Sequence, residues 1–119
     1  MVLTTATGKQ LLWLKFYPTD WNGDYNLRAC SLAARGLLAA FLEPMHMAVP
    51  YGHLLIDSQK PTNGRLASIA SCKEREVNYG IEALVKNGVL SVPEGGILYS
   101  CRMVHDAERH EKCTQYGRL

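Results

Sequence analysis

The sequence has no apolar run near the roughly 20 residues needed to span a bilayer. Its longest apolar stretches, around Leu37 to Leu42 and Leu54 to Ile56, are far shorter. The polar start from Met1 to Gln10 lacks the basic-then-apolar pattern of a secretion signal. A cytoplasmic protein with no membrane partner is therefore expected. There is no P-loop, no dinucleotide-binding glycine fingerprint, no HExxH and no GxSxG, so nucleotide hydrolysis and hydrolase chemistry have no local support. Neither enzymatic activity nor a cofactor is expected. Charge of one sign is also scarce: 13 basic against 11 acidic side chains leave a formal charge of only +2. A small domain held to nucleic acid mainly through phosphates is usually more basic, so charge alone does not announce one. The 4 cysteines, Cys30, Cys72, Cys101 and Cys113, are scattered without a secretion signal and read as thiols in a reducing compartment.

What is present suits one compact domain. At 119 residues, 47% hydrophobic and 20% charged, the chain can sustain one core without disulfide staples. Residues 1–10 read as a lead-in without periodicity. Leu11 to Tyr17 reads as a short strand or extended arm, broken at Pro18-Thr19-Asp20, and Trp21 to Tyr25 as a turn. From Ser31, placed to cap the first free N–H groups, the pattern predicts a helix to about residue 48, with Leu32, Leu38, Phe41, Leu42 and Met45 near one face. Pro44 removes one backbone bond and predicts a kink or an early end near Glu43. Gly36 is a candidate for close approach by another segment, or a tolerated weak spot.

His53 to Ile56 reads as a short strand before the turn-forming run Asp57 to Pro61. Thr62 or Asn63 can cap a short helix through Ala70. After a break at Ser71-Cys72, a second helix runs to about Asn87, with Val77, Ile81, Leu84 and Val85 on one face and Asn87-Gly88 as its stop. Val89 to Val92 and Ile97 to Arg102, joined by Pro93-Glu94-Gly95-Gly96, predict a β-hairpin. The tail from Val104 onward alternates charges and reads as a solvated, fraying helix.

Long helix, short strand, short helix, tight turn, longer helix and hairpin, in that order, predict an α+β winged helix-turn-helix domain over residues 11–103, mainly helical with a small β-hairpin wing, followed by a charged tail over 104–119. The two close helices cannot bury their apolar stripes alone, so the first long helix covers them and the hairpin closes the remaining side. In such a fold the later helix can present its outward face to a major groove. Arg65, Lys73, Arg75, Asn78 and Tyr79 are the candidate nucleic-acid contacts. Lys and Arg suit phosphate or guanine, and Asn suits adenine. Against this, Glu74, Glu76 and Glu82 fit an ordinary solvated face, and the wing tip carries the acid Glu94 and no base. Protein recognition through Trp13, Tyr17, Trp21, Tyr25 and Glu94 is the alternative.

These residues also carry a resemblance. The segment Trp13-Leu14-Lys15-Phe16-Tyr17-Pro18-Thr19-Asp20-Trp21, the segment Leu27 to Leu37 containing Ser31-Leu32-Ala33-Ala34-Arg35-Gly36-Leu37, then Met45-His46, Pro50-Tyr51-Gly52-His53-Leu54-Leu55, Leu98-Tyr99-Ser100 and Arg102-Met103-Val104 resemble the N-terminal region of phage and prophage replication-type proteins. The resemblance covers residues 11–109. It implies a winged-helix domain of a phage-encoded protein linked to replication or its control, often placed before a longer C-terminal part. The sequence departs from the family pattern at Pro44, at Cys101, where a basic residue is usual, and in stopping soon after the domain. The last departure leads to the expectation of either a fragment or a domain working alone, such as a phage inhibitor of a host nucleoprotein or defence complex.

Other chemistry has weaker support. Cys101, His105, His110 and Cys113 include two sulfur and two imidazole ligands of the kind zinc takes, but their spacing is not a zinc signature and solvated tail residues are the favoured reading. No metal is expected. Cys72 near a helix start can have a lowered pKa, with packing the favoured role. The aromatic set Trp13, Phe16, Tyr17, Trp21 and Tyr25, with Lys15 and Arg28 nearby, can stack on single-stranded bases. Docking of a lead-in strand onto the core is the favoured reading, while several rings exposed together would mark a partner surface.

Overall fold

In the computed structural model, which describes residue 14 and residues 16–93 and 96–116, the last eight by backbone alone, side-chain caps set where the helices begin. Ser31 Oγ accepts the Ala34 N–H at 3.1 Å and starts α3, Leu32–Met47. Thr62 Oγ1 accepts the Arg65 N–H at 3.1 Å and starts α4, Asn63–Ala70. Each cap satisfies a donor that the first turn leaves without an intrahelical partner. Ser71, in the left-handed region at φ 55°, ends α4 by returning its N–H to the last turn. The chain then enters α5, Glu74–Lys86, where Glu76 Oε1 accepts the Lys73 N–H at 3.0 Å. Asn87 and Gly88, the latter at φ 76°, close α5 as the sequence pattern requires.

The segment before Ser31 departs from expectation. Pro18 does not break the chain but opens a helix, α1, Pro18–Gly23, because proline's missing N–H and fixed φ suit the first helical position. The expected turn at Trp21 to Tyr25 is instead the end of α1 and the start of a second short helix, α2, Tyr25–Arg28. Asp24 Oδ1 caps α2 by accepting from the Asn26 and Leu27 N–H groups. Residues 11–13 and 15 of the expected arm lie outside the described residues, while Leu14 packs against the core.

Further corrections fall on α3. It passes through Pro44 to Met47, close to the expected end at about residue 48, so of the two outcomes expected at the proline the early end near Glu43 does not occur. Met45 and His46, beyond the proline, are both buried, and the Met45 carbonyl accepts the Gly52 N–H at 3.0 Å, so packing holds the last turn in place. Leu32, expected on the core face, is exposed. The buried face is Ala34, Leu37, Leu38, Phe41 and Met45. Close approach occurs not at Gly36, where a β-carbon would meet nothing, but at Gly80 of α5, where it would lie 2.5 Å from Leu37 Cδ2.

The core sits where α3 packs across α5 and α4. Phe41 and Met45 from α3 and Val77 and Leu84 from α5 are wholly buried, joined by Leu66, Leu54, Leu27 and Leu90. Burying a side chain of this size contributes roughly 1.5–3 kcal/mol. α5 thus gives one face to α3 and leaves the opposite face to solvent.

The hairpin is shorter than expected: β1, Leu90–Ser91, pairs antiparallel with β2, Tyr99–Ser100, in the register Leu90 with Ser100 and Ser91 with Tyr99. Cys101 and Arg102 leave the expected strand for α6, Cys101–Tyr116, because Ser100 Oγ accepts the Met103 N–H at 3.2 Å and caps a helix there. His53 to Ile56 is not a continuous strand, yet His53 bridges Tyr99 antiparallel and the Leu54 N–H donates to Leu98 O at 2.7 Å. Together with the Ser100 N–H donating to Gly52 O at 2.9 Å, these bonds lay the segment along the free edge of β2. The architecture is α+β, mostly helical with a small antiparallel sheet.

The start of α6 is tied back on both sides. Met103 is buried, and Arg102 pairs with Asp20 at 3.6 Å and with Asp24 at 3.5 Å. Exposed pairs of this kind contribute little energy, so the apolar contact dominates the docking of α6. Under it, Tyr51 OH meets His46 Nδ1 at 2.6 Å, and burial, with the Asp106 carboxylate second, pushes the Tyr51 hydroxyl up to about 12. A buried tyrosine resists losing its proton because the phenolate would be poorly solvated.

Candidate nucleic-acid interface on α5

The face of α5 that turns away from α3 carries Arg75, Asn78, Tyr79, Glu82 and Lys86. At helical spacing these residues follow one another along one side, and all are exposed, Tyr79 at 72%. Lys73 stands exposed at the N-cap, and Arg65 is exposed on α4. The sequence-predicted set therefore divides among the outer face of α5, its first turn, and the neighbouring helix. None of its members takes part in the core.

The short turn of residues 71–73 brings the first turn of α4 against the first two turns of α5. Asn63 Nδ2 donates to Asn78 Oδ1 at 2.6 Å, and a β-carbon on Gly64 would lie 3.0 Å from Glu74 Oε1. Three acids share this helix, but they act differently. Glu76 is committed to the Lys73 N–H, Glu74 faces Gly64, and Glu82 remains on the exposed side.

Sequence reasoning missed two partners of this surface. The sequence pattern offers Asn63 only as a cap, yet Thr62 caps the helix and leaves the Asn63 amide to bond Asn78. Lys60, from the turn after His53 to Ile56, reaches the connection between β1 and β2: a β-carbon on Gly96, at φ 76°, would lie 2.7 Å from Lys60 Nζ. That connection, with no base of its own, thus has a cation beside it at Gly96. The turn that presents Lys60 is tight, with Asp57 and Ser58 both at positive φ and Ile56 bridging Gln59. Glu94 lies outside the described residues.

The aromatic set behaves less uniformly than core docking requires. Trp21 packs against the core, but Phe16 is 50% exposed, Tyr17 59% and Tyr25 87%, which corrects the expectation that these rings anchor the arm. Phe16 meets Trp21 edge to face at 5.4 Å. Trp13 and Lys15 lie outside the described residues.

The tail supplies no metal cage among the described residues. Cys101 Sγ is 2.9 Å from Ser91 Oγ, His105 Nδ1 is 3.7 Å from Glu108 Oε2, and the side chains of His110 and Cys113 lie outside the described residues. The Cys72 thiol is pushed up, by burial first and by the Glu76 carboxylate second, so the lowered pKa entertained at this helix start does not arise. Among the described residues no helix is long and apolar enough to cross a membrane.

Among solved structures, the chain is similar to one in a structure of a Rep–DNA complex. The identity is 17%, the match covers 82% of this chain and 87% of that one, and the TM-score is 0.52. The likeness shows the fold. No protein-family model and no curated protein matches the chain. At that identity, the shared property is the order and packing of the elements rather than any residue of the interface.

Proposed function

We propose that this chain is a winged-helix domain that binds duplex DNA, with α5 in the major groove, in phage replication or its control. The observation that carries the reading is the outer face of α5: Arg75, Asn78 and Tyr79 project from it, with Lys73 and Arg65 beside it, and none of them is used by the core. Three features support it. The α4–turn–α5 pair stands on α3 in the order a winged helix uses, and the 52–54 segment runs along β2 as the third strand of such a sheet would. Lys60 beside Gly96 supplies the wing with a positive charge. The chain of similar fold belongs to a Rep–DNA complex.

The domain acts by binding, in the cytoplasm of a bacterial host. Lys73, Arg75, Arg65 and Lys60 take phosphates, while Asn78 and Tyr79 face the groove floor. A mobility shift with duplex DNA at stepped salt concentrations tests this. The expected result is binding that falls steeply with salt and is greatly weakened in Lys73→Ala/Arg75→Ala; absence of binding at low ionic strength refutes it.

A second reading rests on a different surface. Phe16, Tyr17 and Tyr25 expose their rings on one short N-terminal stretch, as a partner-binding patch would. In that reading the domain works as a protein-binding module, such as a phage inhibitor of a host nucleoprotein or defence complex. A stable complex with a host protein that survives Lys73→Ala/Arg75→Ala and is lost in Tyr17→Ala/Tyr25→Ala would favour it over DNA binding.

A further inference from the structure

We infer that Asn63 and Asn78 form a two-residue reader for one adenine, with Asn78 touching the base and Asn63 positioning Asn78. This inference rests on the DNA-binding reading above. The two amides come from different helices, Asn63 from the first residue of α4 and Asn78 from the second turn of α5. They meet at 2.6 Å with Asn63 Nδ2 donating to Asn78 Oδ1, and both residues are exposed. An exposed amide normally gains little from a neighbour because water competes for the same groups. A bond at this distance between helices therefore mainly selects one orientation of the Asn78 side chain, on the face that also carries Arg75 and Tyr79.

The chemistry left over fits adenine. A carboxamide has two N–H donors and two acceptor lone pairs. With one lone pair of Oδ1 occupied by Asn63, Asn78 keeps both N–H groups and one lone pair. That is enough to donate to adenine N7 while accepting from adenine N6, the bidentate pairing available in the major groove. Reversing both amides leaves one N–H and two lone pairs on Asn78, which supports the same pairing. Guanine offers two acceptors at that edge and cannot satisfy the Asn78 acceptor, so the pair discriminates between the purines.

Asn63 has a distinct role. Thr62 already caps α4 through the Arg65 N–H, so the Asn63 side chain is not needed to start the helix. Without it, the Asn78 amide can rotate away from the plane needed for two simultaneous bonds, and the ordering entropy then falls on the complex. Loss of Asn63 therefore blunts base preference at the position read by Asn78 and leaves other positions unchanged.

The test begins with selection of duplexes from a randomised core by the wild-type chain. Affinities are then measured for the selected duplex, for a duplex with guanine at the preferred adenine, and for one with 7-deazaadenine there, which lacks the N7 acceptor. The wild type should favour adenine over both by about tenfold or more, within the range a good bidentate pair provides. Asn78→Ala should bind all three alike. Asn63→Ala should lose part of the discrimination, and at that base only, while Asn63→Gln, which keeps a carboxamide, restores part of what is lost. Both alanine variants should keep the wild-type salt slope and thermal midpoint. A selected site with no preferred adenine, or discrimination unchanged in Asn78→Ala, overturns the adenine reader while leaving salt-dependent binding intact. Discrimination unchanged in Asn63→Ala overturns the positioning role. No salt-sensitive duplex binding by the wild type overturns both this inference and the DNA-binding reading.

Discussion

Replacing Gly80 by alanine, beside the same replacement at Gly36, isolates the contact on which α5 is mounted. Both glycines lie inside helices, where alanine is favoured over glycine by about 1 kcal/mol. At Gly36 the new methyl meets nothing within 4 Å, so Gly36→Ala should stabilise the protein by up to that amount. At Gly80 the methyl lies 2.5 Å from Leu37 Cδ2, with Leu37 Cβ and Cγ at 3.5 and 3.6 Å. Leu37 is only 5% exposed, so its displaced end has no solvent to move into and must press on other core side chains. Overpacking of this kind costs about 1–3 kcal/mol. Set against the same helix preference, Gly80→Ala should be neutral to destabilising by about 2 kcal/mol, and the two variants should differ by about 1–3 kcal/mol. Urea denaturation followed by circular dichroism measures both, with an unchanged m-value confirming that the same surface is exposed on unfolding. Gly80→Ala as stabilising as Gly36→Ala would refute the close approach of α3 and α5.

Other expectations follow from single residues. Phe41→Ala removes a wholly buried ring from α3 and should cost about 3–5 kcal/mol in the same denaturation assay. Thr62→Ala removes the cap of α4 and should cost about 0.5–2 kcal/mol, whereas Asn63→Ala, which spares the cap, should cost much less. Tyr51, raised to about 12, should titrate above the ordinary tyrosine value of about 10 in an ultraviolet absorbance titration. Because the folded state holds that proton more tightly than the unfolded state, the contribution is fully present below pH 10 and is lost as pH rises from about 10 through about 12. Tyr51→Phe should flatten the fall in stability over that window. Lys60→Ala should shrink the salt slope of duplex binding by about 1 if Lys60 meets a phosphate at the wing.

Much of the helical layer was legible because its signals are local. Ser31 and Thr62 each stand where a side-chain oxygen reaches the N–H three residues on, and Asn87-Gly88 offers the chain reversal that ends α5. The core face of α5 followed from spacing alone, with Val77 and Leu84 wholly buried. Where two local signals compete, the outcome was less clear. Pro18 is equally compatible with a turn and with a first helical residue, and Ser100 reads as a strand residue until its hydroxyl is seen to cap α6.

Tertiary contacts account for the remaining differences. Pro44 does not stop α3, because Met45 and His46 beyond it are held by burial and by the Gly52 N–H. Gly36 and Gly80 cannot be told apart without knowing which faces Leu37. At the candidate interface, residue type and helical spacing picked out the α5 face, but the Asn63–Asn78 bond and the reach of Lys60 to Gly96 join residues distant in sequence. Only the folding of the intervening chain brings them together.

The central claim is that α5 carries the contacts to duplex DNA, and the salt dependence of binding by the wild type and by Lys73→Ala/Arg75→Ala tests it most directly. Each phosphate neutralised contributes about 0.9 to the slope of log affinity against log salt. The account predicts salt-sensitive binding by the wild type, and in the double variant a large loss of affinity with a slope shallower by about 2. Binding with the same affinity and the same slope in both proteins would contradict it.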